Sequence, residues 1–314
     1  MNMKNTSAVA ILTYKRNYLL KQQLEAIESW HDRLDQVIVV DNANEVSTAD
    51  ICAQYPWVDL IQARENLGAA GRNLAFEQCR TDILITLDDD VIEFRPEYIE
   101  KISQAFTDES LACINFKVTE ENTGKLVNWV HHRSAAEYAN ERFETYEITE
   151  GAAAFRRSCL DKVGGYPKSF FLSHEGPDLA WRLMDQGWRV IYDPAIQVTH
   201  LFAPEGRANW RNYYFDTRNT LWLALRNLPL WYGIKLVVRQ NCAMGFYSVR
   251  DGFTGTWLRA WRDALRGARQ AMEERKCLAK STMKRITNID SFRPSLLRTI
   301  KSKVLTPANK LSAT

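Results

Sequence analysis

The strongest constraint on the fold is a regular alternation of short apolar runs and amphipathic stretches over the first 90 residues. Apolar runs of strand length, each followed by a segment with helical spacing, predict a parallel sheet with helices on both faces. The predicted helices are Tyr18–Trp30, Ser47–Gln54, with Ser47 as its N-cap, and Ala70–Cys79. The predicted strands are Ala8–Thr13 and Gln36–Asp41, both buried, and then Val58–Gln62 and Asp82–Leu87.

Each of these four strands ends in polar side chains or runs into them. In open sheets of parallel strands, ligands bind beyond the carboxyl ends of the strands. Because those ends share one edge of the sheet, the polar residues that follow the strands are expected to form one site. They are Thr13, Asp41, the segment 64–66 and Asp88–Asp90.

The rest of the chain predicts a mixed set of strands and then mainly helices. A domain over residues 1–205, with halves 1–110 and 111–205, is expected to precede a basic helical region, 206–314. From about Thr287 the pattern is polar and interrupted by proline, and we expect little order there. The further predicted elements are a helix at Asp178–Gln186 and strands at Leu111–Val118, Leu126–His131, Gly151–Phe155, Trp188–Tyr192 and Ile196–Thr199.

The net charge of +3 is the average of two unlike parts of the chain. Residues 1–200 hold 20 Lys and Arg against 31 Asp and Glu, a net charge of −11, whereas residues 201–314 hold 21 against 7, a net charge of +14. Such asymmetry predicts that the second part faces an anionic partner. No nucleic-acid recognition motif occurs, so we expect no nucleic-acid partner.

The apolar runs and the cysteines of the sequence indicate the cellular compartment of the protein. No run of 18 or more apolar residues occurs, so no transmembrane helix is expected, and the apolar run at Ala8–Leu12 is too short for a signal peptide. The six cysteines show no metal-ligand or redox-motif spacing, which favours buried thiols in a reducing compartment. We therefore expect a cytoplasmic protein.

Three consecutive carboxylates, Asp88, Asp89 and Asp90, follow the fourth predicted strand. Adjacent carboxylates repel one another unless a cation is present, and oxygen ligands suit a hard divalent cation, Mg or Mn. In an extended segment alternate side chains share a face, so Asp88 and Asp90 are expected to point the same way. The alternative interpretation is a solvated turn.

Several short motifs occur in a specific order and spacing. They are Ala8–Arg16, Val37–Asn42, Glu65–Asn73, Leu87–Asp90, Gly164–Pro167, His174–Arg182, Val198–His200 and Tyr213–Asn219. Together they resemble the family 2 glycosyltransferases of the GT-A fold, in particular rhamnosyl- and galactofuranosyltransferase-like members, over residues 8–225. The resemblance implies an α/β fold of the GT-A type: a Rossmann-like mixed, mainly parallel sheet flanked by helices, with a C-terminal helical extension.

The resemblance also implies an activity and a donor site. The expected reaction is inverting, metal-dependent transfer of a sugar from a nucleotide-diphosphate donor to a hydroxyl of a glycan or lipid-linked glycan, in cell-surface polysaccharide synthesis. Thr13 and Asp41 would contact the nucleoside, and Arg72 would lie near the diphosphate or the base. The full set of implied donor-binding residues is Thr13, Arg16, Asp41, Asn66, Arg72, Asp88 and Asp89.

A divalent cation, Mn or Mg, is the implied cofactor. Asp88 and Asp90 would form the DxD pair, with Asp90 the direct metal ligand and His200 completing the site. A cation stabilises the charge that develops on the diphosphate leaving group as a Lewis acid. The alternative for His200 is a structural histidine at a strand end.

A carboxylate base must also take the proton of the acceptor hydroxyl. The family pattern is commonly Glu-Asp-x-Asp-Leu-x-x-Arg, and here Gly176 stands where the second acid is usual. We assign the base to Glu175, placed in a loop ahead of the predicted helix, and keep Asp178 as an acceptor-binding residue or alternative base. Arg182, four residues after Asp178, is expected to pair with it.

The basic region carries a Trp-bearing stripe. Within residues 251–272 we place Phe253, Trp257, Trp261, Leu265 and Met272 near one helical face. A basic helix with Trp on its apolar side can lie in the interface of an anionic membrane, which would place the protein at the inner face of the cell membrane. The alternatives are packing on the first domain or on a second subunit, which leaves a homo-oligomer open.

Two other classes of function compete with the transferase. A sugar-nucleotide nucleotidyltransferase also uses carboxylates and a divalent cation, but the segment after the first strand, residues 13–17, lacks the glycine-rich loop usual in that class. A non-catalytic glycan- or membrane-binding protein of the same fold is disfavoured by the intact Asp triplet and mildly favoured by Gly176.

Overall fold

The computed structural model describes residues 5–201 and 210–293, and its centre is one mixed sheet. The strand order is β3-β2-β1-β4-β8-β6-β9-β5, with β7 pairing with β9. The strands are β1 Ser7–Thr13, β2 Gln36–Asp41, β3 Val58–Gln62, β4 Ile83–Asp88, β5 Val91–Ile92, β6 Leu111–Glu120, β7 Phe143–Glu144, β8 Ala152–Arg156 and β9 Arg189–His200.

Helices cover both faces of this sheet and continue after it. Short 3-10 turns at His31–Arg33 and Gly68–Gly71 supplement them. The helices are α1 Asn17–Glu28, α2 Val46–Cys52, α3 Arg72–Gln78, α4 Glu97–Ala105, α5 Ala135–Tyr138, α6 Arg157–Val163, α7 Glu175–Asp185, α8 Trp210–Asn227, α9 Leu230–Arg250, α10 Thr254–Arg266, α11 Ala268–Glu273 and α12 Lys280–Asp290.

The parallel part of the sheet is confirmed as predicted. β1 pairs in parallel with β2 and β4, and β2 pairs in parallel with β3. Side chains of β1 alternate between two cores: Ala8 and Ala10 face one, and Val9 and Ile11 face the other. Apolar burial on both faces explains why these strands read as continuous apolar runs.

The second half of the sheet is mixed, and this brings further residues to the carboxyl edge. β8 runs antiparallel to β4 and β6, so the residues that precede β8 lie beside the end of β4. β9 runs parallel to β6 and ends at His200 at the same edge. If β8 ran parallel to β4, its end and not its beginning would lie at this edge.

Two predicted strand assignments were wrong. The segment Leu126–His131 is not a strand, and only an isolated bridge joins Leu126 to Thr119. The two short strands predicted at 188–199 form the single strand β9. Its register shifts opposite Phe116 and Lys117, next to Pro194, and this irregularity interrupts the apolar alternation that suggested two strands.

Helix boundaries also required correction. α7 begins at Glu175, three residues earlier than predicted, so this carboxylate lies in the first turn and not in a preceding loop. Ser47 does not cap α2, since the helix begins at Val46 and the Ser47 hydroxyl accepts a hydrogen bond from Asn17 Nδ2 at 2.7 Å.

The stripe predicted over residues 251–272 is divided between α10 and α11 at Gly267. A Cβ atom at that position would lie 2.3 Å from the ring of Trp222, so the close approach to α8 requires glycine. Phe253 stacks on Tyr213, with ring centroids 4.7 Å apart, and the ring of Trp257 packs against Gly245. Phe253 and Trp257 therefore pack on neighbouring helices, whereas Leu265 and Met272 are 65% and 48% exposed.

The helices after the sheet share a core with it. Trp222, Leu223 and Met283 belong to the same buried cluster as Phe170 and Leu179. The predicted boundary at 205/206 and the residues after 293 lie outside the described residues. Helix α12 continues to Asp290, three residues beyond Thr287, where little order was expected. Among the helices of the described ranges, none has both the length and the apolarity that crossing a bilayer requires.

Candidate active site

The three consecutive aspartates lie where β4 ends, but they do not alternate as predicted. β4 ends at Asp88, and Asp89 and Asp90 occupy a turn that leads into β5. Because a turn lacks the two-residue period of a strand, Asp89 and Asp90 both approach Arg16, while Asp88 pairs with Arg72. The expected shared face of Asp88 and Asp90 was therefore wrong.

Asp89 is a fully buried anchor of this edge. Its Oδ2 accepts a hydrogen bond from Thr13 Oγ1 at 2.8 Å, and its Oδ1 lies 2.5 Å from Arg16 Nη2. Burial raises the pKa of Asp89 to about 7, against the opposing effects of Arg16 and Thr13. Asp89 thus ties the end of β1 to the end of β4.

Asp90 stands between a guanidinium and an imidazole. Its Oδ2 lies 2.6 Å from Arg16 Nη1 and 3.5 Å from His200 Nε2. The pairing of β5 with β9 sets this distance, because Val91 is the partner of His200 and the Leu201 amide donates to the Asp90 carbonyl at 2.7 Å. The structure thereby brings two of the three predicted metal ligands together.

A divalent cation fits this pair better than it fits the full predicted triad. Asp88 points to Arg72, and among residues 5–201 and 210–293 no three His, Cys, Asp or Glu side chains gather as a metal site. However, Asp90 Oδ1 is buried and has no hydrogen-bond partner within those ranges. Mg and Mn are commonly held by one or two carboxylates plus substrate phosphates, so Asp90 is a suitable partial ligand for either cation. The imidazole of His200 would suit Mn better than Mg, which prefers oxygen ligands.

Asp88 and Arg72 form the outer half of the cluster. Arg72 is buried, while the Asp88 side chain is 33% exposed. Gly151 lies directly against this pair: a Cβ there would fall 2.2 Å from the Asp88 carboxyl group. Glycine at the start of β8 is therefore required for the two strands to approach.

Two of the predicted donor-binding residues, Asp41 and Asn66, organise the loops at this edge. The buried Asp41 carboxylate accepts hydrogen bonds from the backbone amides of Ala43, Asn44 and Glu45 at 2.7–3.0 Å. Asn66 is exposed, and its Oδ1 accepts from Gly68 N at 2.9 Å and from Asn42 Nδ2 at 3.1 Å. Contact of Asp41 with the nucleoside, and of Asn66 with the donor, stays a prediction.

Asn42 was missed by sequence reasoning. Its side chain donates to the Gly68 carbonyl at 3.1 Å and accepts from the Leu67 amide at 2.9 Å. This buried amide holds the loop that leads to Arg72. The signal available in the sequence was its place directly after the strand end at Asp41.

Glu175 lies in the first turn of α7, close enough to Arg72 for their charges to interact. It is only 4% exposed, and within the described chain its Oε2 atom is buried without a hydrogen-bond partner. Burial, reinforced by the nearby Glu150 charge, raises the pKa of Glu175 to about 8. A carboxyl group in this state is suited to exchange a proton near neutral pH.

Asp178 has a different environment. It is fully buried, and its two oxygens lie 3.0 Å from Arg182 Nε and 3.0 Å from Arg226 Nε, with a further hydrogen bond from Asn227. Despite the opposing effect of burial, these partners hold the pKa of Asp178 below its usual range. The predicted pairing with Arg182 is confirmed, and the carboxylate joins α7 to α8.

Glu150 is the acidic residue that sequence reasoning missed. It precedes β8 and accepts a hydrogen bond from the Gly176 amide, and burial raises its pKa to about 7. A Cβ at position 176 would lie 2.7 Å from Glu150 Oε1. The absence of a side chain at Gly176 therefore makes room for this carboxylate.

Comparisons with known proteins agree with this architecture. The sequence profile described as Glycosyltransferase like family 2 matches residues 5–227. The chain is 24% identical over 224 residues to the O-antigen chain rhamnosyltransferase RfbN of Salmonella typhimurium, covering 66% of this chain and 69% of that protein. It is 24% identical over 236 residues to the N-acetylglucosaminyl-diphospho-decaprenol L-rhamnosyltransferase of Mycobacterium tuberculosis, covering 63% and 76%.

A further relative is matched over a smaller part. The Pre-mycofactocin glycosyltransferase of M. tuberculosis is 26% identical over 176 residues, 52% of this chain, and the match spans only 37% of that protein. Among solved structures, the mannosyltransferase PcManGT of Pyrobaculum calidifontis, in complex with GDP-Man and Mn²⁺, has a TM-score of 0.56 at 17% identity, covering 93% and 85% of the chains. TarS of S. aureus has a TM-score of 0.56 at 16% identity, covering 92% and 83%.

The fold is of the GT-A type, with a mixed, mostly parallel sheet flanked by helices and followed by further helices. The chain belongs to glycosyltransferase family 2, as the match over residues 5–227 shows. The family that the sequence motifs indicate is thereby confirmed.

Proposed function

We propose that this enzyme transfers a sugar from a nucleoside-diphosphate donor to a hydroxyl of a glycan or lipid-linked glycan, with inversion at the transferred carbon. The observation that carries the proposal is the edge where Asp88, Asp90, Arg16 and Arg72 meet. The rhamnosyltransferase names of two relatives support nucleoside-diphosphate rhamnose as the first donor to test and surface polysaccharide synthesis as the setting.

The charge distribution suits a diphosphate leaving group. Arg16 and Arg72 are held at the edge by three carboxylates, and both guanidinium groups can donate to phosphate oxygens. Asp90 and His200 would hold a divalent cation, Mn or Mg, which supplies Lewis-acid stabilisation of the departing diphosphate when bound. Thr13, Asp41, Asn66 and Asp89 would contribute to the donor site by shaping the loops around it.

The acceptor side requires one carboxylate base. We assign this step to Glu175, whose buried Oε2 lacks a partner in the described chain. Asp178 is less suited, because each of its oxygens already engages a guanidinium group of a neighbouring residue. The hydroxyl proton would pass to Glu175 as the new bond to the sugar carbon forms.

We also propose that the protein binds peripherally to the inner face of the cell membrane, whose lipid surface is anionic. The apolar side chains that support this contact are on α9, where Leu230, Trp231, Ile234 and Val238 are 44–76% exposed. Lys235 and Arg239 are exposed beside them. Trp at an interface next to basic side chains is the composition expected for such contact.

Thermal unfolding with UDP, GDP and dTDP and with the corresponding triphosphates, each with and without Mn²⁺, tests the proposed function. A ligand that binds only the folded protein raises its melting temperature. The proposal expects stabilisation by at least one diphosphate that depends on Mn²⁺, followed by turnover of the matching nucleotide sugar. Stabilisation by triphosphates alone would indicate a nucleotidyltransferase, and no response at all would indicate a non-catalytic binding protein.

A further inference from the structure

Glu150 lies between the two halves of the candidate site. On one side its carboxylate accepts a hydrogen bond from the Gly176 amide and lies close enough to Glu175 for the two charges to interact. On the other side it interacts electrostatically with Arg72 and Asp88. Glu150 is partly exposed, whereas Glu175 is 4% exposed. In the proposed reaction the diphosphate lies on the Arg72 side and the base is Glu175, so Glu150 lies between the leaving group and the base.

The backbone is adapted to hold this carboxylate. Gly176 leaves the space that Glu150 Oε1 fills, since a Cβ there would lie 2.7 Å from that atom. At the next residue, Gly151 lets the chain approach the Asp88 carboxyl group. Thr86 Oγ1 donates to the Glu150 carbonyl at 2.7 Å, which ties the residue to β4. The position of Glu150 is therefore set by the contacts at Gly176, Gly151 and Thr86.

We propose that Glu150 is a second catalytic carboxylate, whose negative charge faces the sugar carbon as the bond to the diphosphate breaks. This role rests on the proposed sugar transfer. In the reaction the acceptor O–H bond breaks, its oxygen bonds to the sugar carbon, the proton goes to Glu175, and the electron pair of the broken C–O bond stays on the diphosphate. Glu150 forms no covalent bond and stabilises the oxocarbenium-like positive charge.

Glu150→Gln is a suitable variant, because glutamine keeps the shape and can still accept the Gly176 hydrogen bond. Steady-state turnover would be measured with the UDP-, GDP- or dTDP-sugar that the wild type uses, with water as acceptor if no other is found. We expect kcat to fall about 100-fold, since preorganised charges contribute on this scale. The donor KM and the Mn²⁺-dependent stabilisation by the nucleoside diphosphate should stay within about twofold, as for an interaction made only in the transition state.

Glu121→Gln, the same change on an exposed turn, is the matched control and should keep wild-type rates. Glu150→Asp, which retains the charge, should recover part of the lost rate if the glutamine variant proves unstable. A kcat within twofold of wild type, or loss of nucleotide binding together with kcat, would overturn the role of Glu150. If the wild type itself turns over none of these donors, the proposed function fails, and the role of Glu150 fails with it.

Discussion

Asp178 Oδ1 lies 3.0 Å from Arg226 Nε, and this contact joins the helix at the candidate acceptor side to the first helix of the basic region. Both residues are buried, and the other Asp178 oxygen binds Arg182. The aspartate that the sequence offered as an alternative base is therefore a junction between two parts of the protein.

Removing this carboxylate should strongly destabilise the fold. Asp178→Ala removes the carboxylate that two buried guanidinium groups share, and breaking a buried pair costs about 3–5 kcal/mol. Arg226 keeps its contact with Glu274, and Arg182 keeps backbone carbonyl acceptors, so the lower end of this range is expected. Urea unfolding of the purified variant measures the loss. Asp161→Ala removes a half-exposed partner of Arg157 and should cost at most about 1 kcal/mol. Equal losses in the two variants would contradict a structural role for Asp178.

The pH dependence of turnover should report Glu175. A base must be ionised, and burial raises the pKa of Glu175 to about 8. The rate should therefore rise as the pH increases from 6 towards 8 and level off above it. Glu175→Gln should abolish transfer while nucleotide binding is kept. A flat profile between pH 6 and 8 would argue against the assignment, as would loss of transfer in Asp178→Asn but not in Glu175→Gln.

The free energy of unfolding should fall as the pH rises, whereas the rate of transfer should increase. Between the ordinary glutamate pKa of 4.5 and about 8, the folded state holds a proton on Glu175 that the unfolded chain has released. The folded state then binds more protons, so the free energy of unfolding falls as the pH rises through this window. Chemical unfolding at pH 5 and pH 8 tests this, and Glu175→Gln should show a smaller decline than wild type.

The dependence on a divalent cation should reside in Asp90. Asp90→Ala removes the unpartnered Oδ1 and the oxygen next to His200, so the Mn²⁺-dependent part of the diphosphate stabilisation should disappear. Thermal unfolding with and without Mn²⁺ measures it. Asp50→Ala, on the exposed face of α2, should retain the full effect. If Asp90→Ala kept the Mn²⁺-dependent rise in melting temperature, Asp90 would not be a metal ligand.

Membrane contact should depend on the exposed side chains of α9. The double variant Trp231→Ser/Ile234→Ser should reduce co-sedimentation with phosphatidylglycerol vesicles at least several-fold, because it removes two apolar groups beside Lys235. Val46→Ser/Val130→Ser changes exposed apolar residues elsewhere and should bind like wild type. Equal binding to neutral phosphatidylcholine vesicles would speak against an anionic surface.

The parallel half of the sheet could be predicted from the sequence because its signal is local. β2 and β3 have the predicted ends. β2 is covered on both faces and is therefore a mainly apolar run, whereas β3 is an edge strand whose side chains are partly or fully exposed. The position of Asp88–Asp90 at the candidate site could also be predicted, because ligands bind beyond the carboxyl ends of parallel strands. The pairing of Asp90 with His200 agreed with the family resemblance, although 110 residues separate them.

The remaining features depend on contacts that spacing does not reveal. Glu150 was overlooked because the carboxyl-end rule covers parallel strands, whereas β8 is antiparallel and presents its beginning at the edge. Glu175 was placed in a loop because Pro177 suggested a later helix start, yet α7 tolerates Pro177 in its first turn. The inward packing of Trp257 depends on Gly245 in another helix.

The buried core that the sheet shares with α8, α11 and α12 has a consequence for how the protein can be divided. A fragment ending before α8 would expose the apolar surface around Phe170 and Leu179 and would remove Arg226 and Asn227, two of the partners of Asp178. The sheet and the helices should therefore unfold in one cooperative transition. Exchanging the C-terminal helices for those of a relative would succeed only if Arg226 and Asn227, or equivalents that complement α7, were transferred with them.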